Sequence, residues 1–158
     1  MLDNLLARGR YRRLIPQDGV DFSSNDYLGL AGSARIKRAI EDAIERGVPV
    51  GSGGSRLLRG NHAEHEALEA EAAAFFGTEA ALFFSSGFAA NGALFASLPQ
   101  RGDLVVYDEL IHASVHDGIR LGRAQSVAAA HNDANAFDDA IRDWRRNGGI
   151  GLIWIAAE

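Results

Sequence analysis

From Ala80 to Ala157 short apolar runs alternate with helical patterns, and this alternation limits the possible folds more than any other feature of the chain. Ala80–Phe84, Leu104–Tyr107, Ser126–Ala130 and Leu152–Ala157 read as strands. Phe88–Leu98, His112–Leu121 and Asp133–Arg146 read as helices. Links this short oblige each helix to carry the chain back to the start of the next strand. The strands should therefore run parallel, joined by right-handed crossovers. The expected fold class is α/β, a mostly parallel sheet with flanking helices. The last run, LIWIAA, reads as a buried central strand whose neighbours and covering helix would have to lie beyond Glu158. On that reading the 158 residues are the N-terminal portion of a longer protein, and its exposed edge favours association.

Upstream, residues 1–16 read as a helix ending before Pro16. DFSSNDYLGL (21–30) reads as an extended piece entering an ordered loop. Ser33 can cap a helix with Ile36, Ala39, Ile40, Ala43 and Ile44 on its apolar face and Gly47 at its end. The loop from Val48 to Gly60 is rich in glycine and is expected to use backbone conformations other residues avoid. Asn61 reads as the cap of the next helix, with Glu64 completing a capping box. Leu68, Ala72 and Phe75 form the inner face of that helix, and Gly77 ends it. Two regions follow: 1–50, an N-terminal helical and extended segment, and 51–158, the first part of a large α/β domain.

Composition removes several functional classes. A net charge of −5 and a pI near 5.5 leave no basic footprint for nucleic acid or an anionic membrane. No apolar run is long enough to span a bilayer, and the first residues lack the apolar core of a secretory signal. The absence of cysteine excludes disulfides, thiolate zinc sites and thiol catalysis, and fits a cytoplasmic protein.

Within this frame, Ser85-Ser86-Gly87-Phe88 joins a strand to a helix and aims free backbone N–H groups at one point, the geometry of an anion or phosphate site. Gly87 allows close approach and Phe88 can flank a flat ligand, with Asn91 one turn later. Taken by itself the tetrapeptide reads first as an ordinary strand-to-helix connection. His112, between Asp108 and Ser114, falls just past the carboxyl end of a predicted parallel strand, where open α/β sheets bind ligands. It can stack on a planar ring and titrate near neutral pH, or it can cap a helix. His62-x-x-His65 and His112-x-x-x-His116 have spacings that can bind zinc, but no H-E-x-x-H pattern occurs and surface helix positions explain both pairs. Arg8, Arg10, Arg12 and Arg13 can meet a carboxylate but read first as a solvated face.

Taken in order, DFSSNDYLGLA, GSGGSRLLRGNHAEHEALE, FFGTEAALFFSSGFAAN, DELIHASVHDGIRL and AAAHND resemble the α-oxoamine synthase family of pyridoxal-phosphate enzymes. The resemblance runs from about Arg12 to Glu158. It implies the type I pyridoxal-phosphate-dependent transferase fold and a homodimer with its active site at the subunit interface. Gly87 and Phe88 match the turn that holds the cofactor phosphate. His112 matches the histidine that stacks on the pyridine ring and contacts the substrate. Arg12 matches an arginine proposed to meet the acyl substrate, and Asn25 an asparagine near the substrate carboxylate. The GSGGSR form of the loop favours the branch that condenses L-alanine with pimeloyl-CoA or pimeloyl-carrier protein, with loss of CO2, in biotin biosynthesis. Branches that use glycine or serine, and a lysine-less partner module, are the alternatives. Family members hold the cofactor covalently through a lysine. The chain's only lysine, Lys37, reads as a solvated helix residue, so the 158 residues alone are expected to be inactive.

Overall fold

The computed structural model describes residues 2–9, 11–14, 16 and 18–158; Arg10, one of the four arginines singled out above, lies outside them. The chain divides into two compact units, Met1–Asn61 and His62–Glu158.

In the first unit, helix α1 covers Leu2–Ala7 rather than the expected 1–16. Gly9 takes a left-handed conformation (φ +62°) that ends the helical path well before Pro16. The 21–31 loop is ordered, as expected, by its own acidic side chains. Asp21 Oδ1 accepts from the Ser23 and Ser24 N–H groups at 2.8 and 3.0 Å, and Asp26 accepts from the Leu30 and Ala31 N–H groups at 2.7 and 3.0 Å. Helix α2, Ala34–Glu45, has Ser33 at its N-cap position but without the side-chain hydrogen bond expected of a cap, and Gly47 (φ +81°) closes it. Its Ile36, Ile40 and Ile44 line a shallow groove with Val48 and Val50. The glycine-rich loop ends in one π-helical turn, Arg56–Gly60. Contrary to expectation, none of Gly51, Gly53, Gly54 and Gly60 has a positive φ. Close packing explains Gly60 instead, because a Cβ there would collide with the Gly54 carbonyl oxygen.

The second unit begins with α3, Ala63–Phe76. Its N-cap is His62, not Asn61: His62 Nδ1 accepts from the Glu64 N–H at 3.3 Å, and His65 Nδ1 accepts from the His62 N–H at 3.2 Å. An imidazole nitrogen thus fills the role expected of Asn61 and Glu64. Gly77, in the left-handed region, ends the helix as anticipated. Leu68, Ala72 and Phe76 line a groove together with Leu82 and Phe84, and α3 buries no residue fully: Phe75 is 82% exposed and Phe76 72%.

Residues 80–84 form no strand among the described residues; Phe83 donates its N–H to Glu69 Oε1 (2.8 Å) rather than to a ladder partner. Then come α4 (Gly87–Ser97), β1 (Leu104–Asp108), α5 (Ala113–Leu121), β2 (Gln125–Ala129), α6 (Ala134–Arg146) and β3 (Ile153–Ala156). All three strands are parallel in the order β2-β1-β3, with Val106 opposite both Val127 and Ile155. The parallel α/β expectation therefore holds, but β1 is the central strand. β3 pairs on one side only among the described residues, and Ile155 is 61% exposed.

Alternation along β1 builds two half-cores. Leu104 and Val106 face Phe137, Ala140, Ile141 and Trp144 of α6, while Tyr107 packs with Ile111, Val115 and Phe95 on the opposite face. Asp133 caps α6 by accepting from the Asn135 and Ala136 N–H groups. At the amino end of the sheet, the Asp103 carboxylate receives the N–H groups of Gln100 and Leu152 and the Trp154 indole, pinning β3 to β1. Leu104 has no exposed surface, so Leu104→Ala is expected to cost about 2–5 kcal/mol in a denaturant melt.

Candidate active site

Two helix N-termini converge beyond the carboxyl ends of β1 and β3. Helix α4 starts at Gly87, with Ser86 as N-cap accepting the Ala89 N–H on its Oγ at 3.1 Å. The Gly87 and Phe88 N–H groups belong to the first turn, which by helix geometry has no intrahelical acceptor. Helix α5 starts after His112, whose Nδ1 accepts the Ser114 N–H at 3.1 Å. The capping role foreseen for His112 is therefore real, and it coexists with a face turned to a cavity. That cavity, about 530 Å³, is lined by Gly87, Phe88, Asn91 and His112 among polar and ring groups, and by Ile155 and Glu158 from the end of the chain. Its volume suits a small organic ligand.

Close packing of α4 on α5 sets this arrangement. A Cβ on Gly118 would stand 2.9 Å from Phe95 Cβ and 3.0 Å from the Asn91 carbonyl, so only glycine lets the two helices approach this far. The approach brings the Phe88 and His112 rings edge to face, 6.4 Å between centroids at 79°. It also lets Asn91 Nδ2 donate to Ser114 Oγ at 3.0 Å across the helix pair.

Gly87 provides the test of what the cavity fits. Its φ is not positive, and an added Cβ would meet no protein atom within 4 Å. Nothing inside the fold demands glycine here. The bare backbone instead leaves two N–H donors accessible at the positive end of a helix, facing open space beside an aromatic ring and an imidazole. That donor set suits a phosphate attached to a planar ring.

Of the expected site residues, Gly87, Phe88 and His112 come together. Arg12 and Asn25 belong to the first unit, where both are exposed; the Asn25 carbonyl accepts the Tyr27 N–H at 2.9 Å. Lys37 is exposed on α2 of that unit. The remaining histidines are occupied locally: His65 in the α3 cap, and His116 edge-on to Tyr107 at 5.2 Å.

A second polar cluster was not anticipated. Asp108, 2% exposed at the end of β1, has both carboxylate oxygens 2.9 Å from His131 Nδ1 and also accepts the Leu110 and Asn132 N–H groups. It closes the gap at the carboxyl ends of β1 and β2, where α5 and α6 leave on opposite faces. An aspartate at a strand end, followed by a His-Asn turn, carried this signal in the sequence. The Leu110 N–H above all, with His131 and the Asn132 N–H, holds the Asp108 carboxyl below its ordinary value of 3.8 against the opposing effect of burial. The Gln100 and Leu152 N–H groups do the same for Asp103. A folded-state pKa below the unfolded one means that the native state binds this proton less readily. The stabilisation is therefore complete above about pH 4 and is lost as pH falls further. Tm measured against pH is expected to drop in that acid range, and Asp108→Asn is expected to flatten the drop while lowering Tm at neutral pH.

The chain is similar to several known proteins. The aminotransferase class I and II model matches residues 17–156. The 8-amino-7-oxononanoate synthase of Geobacter sulfurreducens is 49% identical over 130 residues, covering 82% of this chain and 33% of that protein. The solved 8-amino-7-oxononanoate synthase of Francisella tularensis superposes with a TM-score of 0.66 at 31% identity, over 85% of this chain and 36% of its own. A solved SPT with PLP gives a TM-score of 0.67 at 32% identity, over 72% and 28%. The chain spans about a third of the length of the curated relatives it matches. The chain belongs to the aminotransferase class I and II family, and its parallel sheet and flanking helices are those of the type I pyridoxal-phosphate transferase fold.

Proposed function

We propose that this chain forms the phosphate- and ring-binding side of a pyridoxal-phosphate-dependent acyltransferase. The reaction condenses L-alanine with pimeloyl-CoA or pimeloyl-carrier protein, releases CO2 and the free CoA or carrier-protein thiol, and yields 8-amino-7-oxononanoate for biotin synthesis. The observation that carries the reading is the convergence of the open Gly87–Phe88 helix start and His112 on one cavity. The names and identities of the relatives support the choice of substrates.

When bound, pyridoxal phosphate would supply the electron sink that stabilises a carbanion at the alanine α-carbon. The Gly87 and Phe88 N–H groups hold its phosphate, and the α4 dipole adds to the attraction. Phe88 braces the His112 ring, which would meet the ring of the cofactor from the cavity wall. Arg12 receives the acyl substrate through its paired N–H donors, and Asn25 receives the substrate carboxylate. The curated relatives are about three times as long as this chain, which supports a covalent lysine other than Lys37. The working form is a homodimer in the cytoplasm. Among the described residues no helix is long and apolar enough to cross a membrane.

A chimera tests this. Residues 1–158 replace the matching segment of the Geobacter sulfurreducens synthase, and the product is expressed in a host lacking its own enzyme. Growth without biotin, together with 8-amino-7-oxononanoate formed in vitro, is the expected result. A folded, cofactor-loaded chimera that forms none of it overturns the proposal. Borohydride added to the 158-residue chain with pyridoxal phosphate is expected to leave Lys37 unmodified, and an adduct fixed there would make α2 the cofactor's attachment point.

A further inference from the structure

We infer that Asn91 and Ser114 are positioning residues that fix His112 in a single orientation and tautomer, with the ring proton on Nε2 and directed into the cavity. The argument rests on donors that have no choice of role. The Ser114 backbone N–H can only donate, and it meets His112 Nδ1 at 3.1 Å, so Nδ1 must offer a lone pair. Ser114 Oγ lies 2.7 Å from the same nitrogen. Because Nδ1 offers a lone pair, the hydroxyl can face it only as a donor, and Asn91 supports that role. The Asn91 amide donates to Ser114 Oγ at 3.0 Å, occupying an oxygen lone pair and leaving the hydroxyl hydrogen free for Nδ1. The chain of hydrogen bonds thus runs one way, from Asn91 to Ser114 to His112.

Burial gives this chain its hold. Ser114 has no exposed surface, and Asn91 is half-buried at the α4–α5 contact. No water can take the place of the hydroxyl without opening the helix pair. With Nδ1 turned to this buried pair, the neutral ring carries its hydrogen on Nε2, on the side away from Ser114. Phe88 braces the ring edge-on from α4. His112 therefore offers the cavity a donor at a fixed place rather than a ring free to flip. The consequence for cofactor and substrate rests on the function proposed above; the tautomer itself does not.

The test is a long-range proton–nitrogen NMR correlation on the full 158-residue chain labelled with 15N-histidine, with no cofactor added. His112 is assigned from the signal lost in His112→Gln. At alkaline pH the expected pattern is an unprotonated Nδ1 and a protonated Nε2. Ser114→Ala and Asn91→Leu are each expected to lower the ratio of Nε2–H to Nδ1–H by about 3- to 10-fold, the worth of one hydrogen bond. Ser114→Thr, which keeps the hydroxyl, is expected to restore it. A dominant Nδ1–H form in the wild-type chain overturns the inference, and that spectrum needs no variant to fold. Unchanged ratios in both Ser114→Ala and Asn91→Leu overturn it equally. An inactive chimera with an Nε2–H spectrum would refute the function and leave the relay standing; an active chimera with an Nδ1–H spectrum would do the reverse.

Discussion

His112→Ala in the synthase chimera is expected to lower kcat/KM by roughly 10²-fold or more, the lower end of the range for a side chain that acts on the reacting group from the cavity wall. Cofactor affinity should fall much less, because ring contacts of this kind contribute only about 0.5–1.5 kcal/mol. The two effects separate because His112 has two jobs in the structure. Its Nδ1 is spent on the start of α5, where Ser114 gives both a backbone and a side-chain contact. The rest of the ring faces the cavity beside Phe88. Losing the cap destabilises α5 by about 1 kcal/mol, which a thermal melt detects and the assay temperature tolerates. A fall in kcat/KM no larger than the fall in folded fraction would show that capping is all His112 does.

Gly87→Asp is expected to weaken pyridoxal-phosphate binding on the order of 10³-fold. The new carboxylate would stand at the first turn of α4, within a few ångströms of the phosphate. Two like charges about 4 Å apart near a protein surface repel by about 4 kcal/mol. The fold should not suffer. An acidic side chain in a first helical turn complements the helix dipole. A Cβ at Gly87 also meets nothing within 4 Å. Gly87→Ala should keep the fold as well and weaken binding only through the space its methyl occupies. Equal affinities in the wild-type chain and Gly87→Asp, measured by cofactor absorbance, would remove the phosphate from this end of α4.

Much of this was legible in the residues themselves. The alternation from Leu104 onward gave parallel strands and the correct helices, because period 2 in β1 and period 3.6 in α6 are each set by a buried face. The Ser86-Gly87-Phe88 start and His112 were also visible, since a strand-to-helix turn with a small residue and a histidine at a strand end are local signals. What failed depended on distant partners. Residues 80–84 have the composition of a strand, yet a strand exists only where another pairs with it, and here the Glu69 carboxylate takes the Phe83 N–H. Asn61 looked like a better cap than His62, but two imidazoles, His62 and His65, met both requirements. The Asp108–His131 contact joins residues 23 positions apart, and the Asn91–Ser114 contact does the same. Neither follows from spacing along the chain, because both depend on how β2 lies beside β1 and how Gly118 lets α5 approach α4. Gly118 and Gly60 have ordinary backbone angles and were needed for lack of room, a requirement no local pattern announces.

We propose that the start of α4 holds a phosphate. That proposal is tested most directly by titrating the 158-residue chain with pyridoxal phosphate and, separately, with pyridoxal, following intrinsic fluorescence. Binding of the phosphorylated form, displaced by inorganic phosphate and at least about 30-fold tighter than pyridoxal, is the predicted result; the factor corresponds to about one charge-assisted hydrogen bond. Equal affinity for the two forms, or binding of pyridoxal phosphate that inorganic phosphate cannot displace, would contradict it.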